Sequence, residues 1–449
     1  MEKKYGTSIN LSLILFITIV ALVYSTQNMI SPNLLIISEY FGFGGTKTEL
    51  GFLTFTFTII SGISMIIFGI LADKITRKWI VLTGTLIYST FSILTITVPP
   101  GLMGYYVFFL LTCMNGIGFG AVIPSIFSLI GDLISQEDRS KGFSFFSIAS
   151  LIGMALGIGL ATAVGGVDWR ISYLIVGLLG LFNALFILRF KEPSRIGKDH
   201  LFLVEKEAVE YTYRIDKEDL PIIFKKKSNI WLILNFVDTI PTGIILFLLF
   251  AYMEEFHNVP SNLALIFLIF ILLSTLIGTV IFGIIGDNMF KSGKKKARVL
   301  LALMANIVPI PFVFIALLIP FRAPEGATIV DLFLITGAVA MLVLIVIGLF
   351  INGATNGSWY ATVVDINLPE HRGTVLATAN FFDILGRAIG PLIGAFIADE
   401  FGILAGMTIS IIFWIFLPLF WIPVLKNVKK EMESTEKIFE ERIKSLKNS

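Results

Sequence analysis

Cysteine is almost absent. Of 449 residues only Cys113 carries a thiol, and it lies inside an apolar stretch, so an intramolecular disulfide and a cysteine-based metal site are both excluded. Histidine is scarce as well: His200, His257 and His371 stand far apart, and no metal-ligand spacing exists. Charge is the third shortage. Asp, Glu, Lys and Arg make up 15% of the chain, against roughly a quarter in soluble domains, and they sit in a few islands. The space between is apolar, with 56% hydrophobic residues and a mean hydropathy of +0.88, which excludes disorder, a fibre and an ordinary soluble enzyme. The net charge of +2 decides nothing, because orientation in a bilayer follows where Lys and Arg fall and not their total.

A bilayer-spanning helix needs about 20 mostly apolar residues, and runs of that length predict twelve: 10–38, 50–72, 79–98, 104–133, 143–164, 169–190, 229–252, 261–286, 297–319, 331–364, 373–398 and 402–425. Strands of about 9 to 11 alternating residues do not fit this pattern. The first run is too long for a signal-peptide core and lacks a small-residue cleavage site, so it is expected to remain a helix. Loops on the side of the N-terminus carry 30 Lys and Arg, whereas the other side has Lys47, Arg170 and Arg322 alone. The positive-inside rule then places both termini in the cytoplasm of a multi-pass protein of the cell membrane. One long polar connection, 191–228, divides the chain into six spans and six. The expected parts are a bundle at 1–190, a cytoplasmic linker at 191–228, a second bundle at 229–425 and a charged tail at 426–449.

The halves repeat. Gly69-Ile-Leu-Ala-Asp73 after span two matches Gly283-Ile-Ile-Gly-Asp287 after span eight, and Asp132 with Arg139 matches Asp365 with Arg372, each pair seven apart. Gly153 and Gly157 match Gly386 and Gly390 at the same offset. Three matches in one order, with parallel topology, predict a duplicated six-helix unit of the kind found in transporters.

The segment Gly69 to Lys78, a glycine, a leucine, a small residue, an aspartate and a basic cluster, resembles the motif after the second helix of the major facilitator superfamily. The resemblance covers the whole chain and implies an all-α fold of two pseudo-symmetric six-helix bundles. Within that superfamily, Asp73 to Trp79, Asp168-Trp-Arg170 and Glu192-Pro-Ser-Arg195 look like the Spinster-related branch of lysolipid, sphingolipid and organic-anion carriers. Where that branch places an aspartate and an arginine in span one, this chain reads Tyr24-Ser-Thr-Gln-Asn28, and Thr112 stands where an arginine is usual in span four.

The resemblance implies cytoplasmic gates at Gly69, Asp73, Arg77, Lys78, Asp132, Arg139, Asp287, Asp365 and Arg372, with simple anchoring to anionic headgroups as the plainer reading. It also implies that spans one, four, seven and ten meet the solute through Tyr24, Gln27, Asn28, Asn115, Asn235, Thr239, Asn352, Asn356, Trp359 and Tyr360. Each of these is equally suited to hold helices together, at about 0.6 kcal/mol apiece. Amides, aromatics and hydroxyls with almost no fixed cation suit an amphiphilic or weakly polar solute.

An ionisable side chain at membrane depth costs at least ~2.5 kcal/mol and is a functional candidate by default. Asp238 lies about ten residues into span seven, roughly 15 Å at ~1.5 Å per residue, near the middle of a ~30 Å core. Asp383 lies at similar depth in span eleven, with Arg387 at i+4 able to pair with it. These three are the candidate ion-coupling groups, with a proton as the expected partner ion. Gly153, Gly157, Gly386 and Gly390 are expected to let helices approach closely.

No histidine falls inside an apolar run, and Ser144, Ser147 and Ser150 have no basic partner at workable spacing, so no catalytic residues and no enzyme are expected. No phosphate-binding loop or dinucleotide fingerprint appears, which leaves no cofactor, no ATP-driven pumping and no nucleic acid to bind. The expected protein is a monomeric secondary active carrier of a small-molecule solute in a lipid bilayer. The alternatives are a facilitative carrier of a sugar or organic anion, and a non-transporting receptor on the same fold.

Overall fold

The structure, a computed structural model, describes the backbone of residues 2–133, 139–190, 192 and 218–448. Of these, the side chains of 2–11, 73, 131–133, 139–147, 370, 373, 377, 443 and 445–448 lie outside the described residues. Among the described residues twelve helical spans are long and apolar enough to cross a membrane, and no strand occurs. They fall into two compact units, Met1–Glu207 and Ala208–Ser449.

In the first unit, spans one to six are Ser12–Tyr40, Thr48–Ala72, Arg77–Thr97, Gly101–Ile130, Ile148–Asp168 and Arg170–Arg189. Span one packs on span five, span two on span four, and span three on spans four and six. In the second unit, spans seven to twelve are Lys227–His257, Ser261–Lys291, Ala297–Leu318, Thr336–Ile366, Thr374–Phe401 and Ile403–Arg442. There span seven packs on eleven, eight on ten, and nine on ten and twelve, the same pairing shifted by six. Apolar residues stay exposed along one side of several spans, such as Ile63, Ile66, Ile67 and Ile70 in span two and Leu273, Ile277, Val280 and Ile284 in span eight.

Helices already solvated by lipid gain little from hydrophobic burial against each other, so close packing has to hold them. Glycine supplies it. A methyl group on Gly153 would collide with the Ala21 carbonyl, and one on Gly157 with the Ser25 carbonyl, where span five crosses span one. At the crossing of spans eleven and seven, a methyl on Gly386 would strike the Thr239 hydroxyl, and one on Gly390 would lie 2.5 Å from the Ile240 carbonyl. Forcing extra carbons into such contacts costs about 1–3 kcal/mol.

Span seven is not one helix. Lys227–Leu234 and Thr239–His257 are joined by a 3-10 turn, Asn235–Asp238. The cause is Pro241, which has no N–H for the carbonyl of Val237 and whose ring crowds that carbonyl, so regular α-geometry fails in the preceding turn. Span ten begins at Thr336, five residues later than the apolar run indicated, because Thr328 and Asp331 form a capping box that starts a separate short helix, Ile329–Leu334. The charged segment expected from residue 426 is continuous with span twelve in the helix Pro418–Asn448. Val428, Met432 and Thr435, spaced four and three apart, are buried on one side of it.

Candidate functional site

The 3-10 turn in span seven places the polar residues of that span. Side chains three apart in a 3-10 turn eclipse each other, so Asn235 and Asp238 share a face. Asn235 is 7% exposed, and its Oδ1 has no hydrogen-bond partner among the described residues. The Thr239 hydroxyl lies 2.7 Å from the Phe236 carbonyl and 3.1 Å from the Asp383 carbonyl, donating to one or the other and tying the turn to span eleven. Asp238 and Asp383 are within electrostatic range of each other. Arg387 is exposed one turn beyond Asp383. The two do not close an ion pair among the described residues, although the guanidinium acts electrostatically on Asp383 and on the exposed Tyr360 of span ten. Two carboxylates, one cation and a phenol from three spans thus share one layer of the second unit.

The other expected lining residues are scattered. In the first unit Tyr24 packs edge-on against Phe119 with ring centroids 5.1 Å apart, and the Asn28 amide donates to the Tyr24 carbonyl. Gln27 and Asn115 border a cavity of ≈ 10 Å³ with Thr112 and Tyr173, about the space of one water. In the second unit Asn352 donates to the Ala305 carbonyl at 3.3 Å, Asn356 is exposed, and Trp359 is buried with its indole N–H on the Leu232 carbonyl at 2.9 Å. Trp359 is thereby a core residue of that bundle.

At the end of each unit that carries most of the Lys and Arg, several cations are tied down within the unit. In the second, Arg298 bridges Asp287 from span eight, at 2.6 Å, and Asp365 from span ten. Arg372 donates from Nε to the Val364 and Asn367 carbonyls, covering the open end of span ten. Asp365 and Arg372 also border a cavity of ≈ 290 Å³ walled by Met432, Thr435 and Glu436 of the long last helix. In the first, the side chains of Asp73, Asp132 and Arg139 lie outside the described residues. Gly69 lies 4.0 Å, measured from an added Cβ, from Pro124 of span four. Arg77 is bound to Glu192 at 3.0 Å and to the Ser128 hydroxyl at 2.8 Å, and Lys78 gives its ammonium to the Leu188 carbonyl at 2.8 Å.

Several contacts were not foreseen from the sequence. Glu192 accepts the backbone N–H groups of both Arg77 and Lys78, so a residue just after span six caps the start of span three. Burial alone would push its carboxyl up, but those N–H groups and the Arg77 guanidinium outweigh burial and hold it below the ordinary glutamate range. Asn229 and Asn367 are fully buried and exchange amide hydrogen bonds of 2.9 and 2.7 Å. Lys226, held by the Ile366 carbonyl and the Thr435 hydroxyl, is pulled below its usual range by burial, against the opposing charge of Glu431. His257 is fully buried and stacked on Phe321 at 3.9 Å. Its Nδ1 faces the Phe321 carbonyl at 3.1 Å and its Nε2 the Tyr252 hydroxyl at 3.0 Å. The signal for each was a polar residue at the edge of an apolar run, where a helix end has backbone groups to satisfy.

The family model of the Major Facilitator Superfamily matches residues 16–382. Protein spinster of Drosophila melanogaster is 30% identical over 186 residues, 40% of this chain and 28% of that protein. The glycerol-3-phosphate transporter of Bacillus subtilis (strain 168) is 23% identical over 417 residues, covering 84% of this chain and 85% of its own length. Among solved structures, a bacterial homolog of the human lysosomal transporter Spinster, inward-facing and unoccupied, superposes with a TM-score of 0.74 at 16% identity, covering 94% of this chain and 98% of that one. At that identity the likeness is one of fold.

Proposed function

Since the chain belongs to the Major Facilitator Superfamily, we propose that it is a secondary active carrier of a small, amphiphilic or weakly polar organic solute. It works by alternating access in the cell membrane with both termini cytoplasmic, and it is driven by protons through Asp238 and Asp383. The observation that carries the coupling is the layer at the crossing of spans seven and eleven. Two carboxylates share it, and the one arginine nearby does not close on either of them. Groups so costly to insert are kept where they work. The solute class rests on Gln27 and Asn115 in the first unit, on the exposed Asn356 and Tyr360 in the second, and on the likeness to Protein spinster. Asp73, Asp132, Arg139, Asp287, Asp365 and Arg372 hold the gates at the cytoplasmic ends of their units.

A second reading, a facilitative carrier of a small hydrophilic anion, is favoured by the exposed guanidinium of Arg387 and by the long match to the glycerol-3-phosphate transporter. A thermal-shift panel separates the two, because a ligand at ~100 times its Kd stabilises by about 2.7 kcal/mol. Lysophospholipids and apolar organic ions are expected to raise the melting temperature, and sugars and sugar phosphates to leave it unchanged. In proteoliposomes, the stabilising solute is then expected to accumulate under an imposed proton gradient. Equilibration without accumulation overturns the coupling, and stabilisation by sugar phosphates alone overturns the solute class.

A further inference from the structure

The neighbours of Asp238 include two buried polar atoms without partners. Asn235 Oδ1 is one, an acceptor on the same face of the 3-10 turn. The other is the indole Nε1 of Trp414, a donor on span twelve that is 4% exposed. Trp414 is close enough to the Asp238 carboxyl to act on it, yet no hydrogen bond closes between them. Unpaired buried donors and acceptors are rare and costly, so one of each beside a single carboxyl group calls for an explanation.

A carboxylate has acceptors only. It can take the Trp414 N–H, but with the amide oriented as it is here it turns lone pairs toward Asn235 Oδ1 and leaves that oxygen orphaned. A carboxylic acid has one donor and one acceptor, and it satisfies both orphans at once. We propose that Asn235 and Trp414 are positioning residues for the proton on Asp238, the acid donating its O–H to Asn235 Oδ1 and accepting the Trp414 N–H at its carbonyl oxygen. When the proton leaves for water, the bond to Asn235 is lost and the bond to Trp414 becomes charge-assisted. The two neighbours therefore favour opposite protonation states, and between them they set where the site switches. This rests on the coupling role given to Asp238 above.

The elements packed on the turn are the two flanking pieces of span seven, span eleven and span twelve. Span eleven brings Asp383 and Arg387, and both of these act on Tyr360 of span ten. The pieces of span seven have Lys227 only at their start and Tyr252, Glu254, Glu255 and His257 only at their far end, and the span-twelve helix Ile403–Phe416 has no titratable side chain.

The test is pH-difference infrared spectroscopy of the full-length protein in lipid, with no solute added. A protonated-carboxyl band is expected that Asp238→Asn removes. Asn235→Leu takes away the acceptor of the acid, and the midpoint of that band is expected to move toward acid by roughly one pH unit, about the worth of one hydrogen bond. Trp414→Phe takes away the donor to the carboxylate, and the midpoint is expected to move the other way. Melting temperatures close to wild type mark the variants as folded. Shifts of opposite sign support the assignment, because loosened packing would move both variants alike. A band that Asp238→Asn removes, with a midpoint that both apolar variants leave in place or move the same way, overturns the roles of Asn235 and Trp414 alone. Absence of any such band overturns the coupling role of Asp238 and this inference with it.

Discussion

Spans one and five cross in the first unit as spans seven and eleven cross in the second, with a pair of glycines four apart pressed on a neighbouring backbone in each. The chemistry at the two crossings differs. Around Gly153 and Gly157 the partner span offers Ala21, Tyr24 and Ser25, all uncharged, whereas around Gly386 and Gly390 it offers Asp238 and Thr239 with Asp383 close by. Glycine contacts engage backbone and leave the adjoining side chains free, so a duplicated unit can keep its packing while one copy alone acquires ionisable groups. The lesson is that geometry and chemistry are separable at such a crossing.

The strongest way to break this comparison is through the shared geometry. Gly157→Leu and Gly390→Leu are each expected to cost about 3 kcal/mol or more, read as loss of the folded fraction in detergent, and a tolerated leucine in either unit would refute the common crossing. Next comes the chemistry. Asp238→Asn is expected to fold normally and flatten the pH dependence of solute uptake, whereas a polar replacement of Val23, at the matching place in span one, leaves that profile unchanged; a wild-type profile in Asp238→Asn would sink the coupling assignment. At the basic ends, Arg298→Ala leaves Asp287 and Asp365 without their shared cation. It is expected to lower stability by about 2 kcal/mol, less than a fully buried pair because the Asp287 side chain is 55% exposed.

The smallest expected effect is at Glu192. Its folded carboxyl is held below the ordinary glutamate range, so its contribution is present in full above that range and fades as pH falls through the folded value. Glu192→Gln is expected to cost about 1 kcal/mol at neutral pH, and the melting-temperature gap to wild type to close on acidification. A gap that persists in strong acid would mean that the cap does not act through charge.

The spans, the repeat and the close crossings were legible because each is written in composition: twenty apolar residues, a repeated Gly-x-x-x-Asp, glycines four apart. The expectation of gates and of lining spans came from the family resemblance alone. The broken helix was missed although Pro241 announced it, since a proline disturbs the turn before it and so marks 235–238 and not its own position. Partners distant in sequence were not legible at all. Nothing near Arg77 points to Glu192, and nothing near Lys226 points to Thr435, because these contacts exist only once the helices are packed. Trp359 shows the reverse case, a residue whose type suits a binding surface and whose place in span ten turns it into the core.

The buried amides of Asn229 and Asn367 have a consequence for how this sequence can change over generations. Each amide is the other's donor and acceptor, and each also gives an N–H to a backbone carbonyl, of Ile223 and of Val363, so an apolar substitution at one position strands the amide oxygen of the other. Neither position can therefore drift by itself. The start of span seven and the turn between spans ten and eleven, 138 residues apart in the chain, are in this respect inherited as one character.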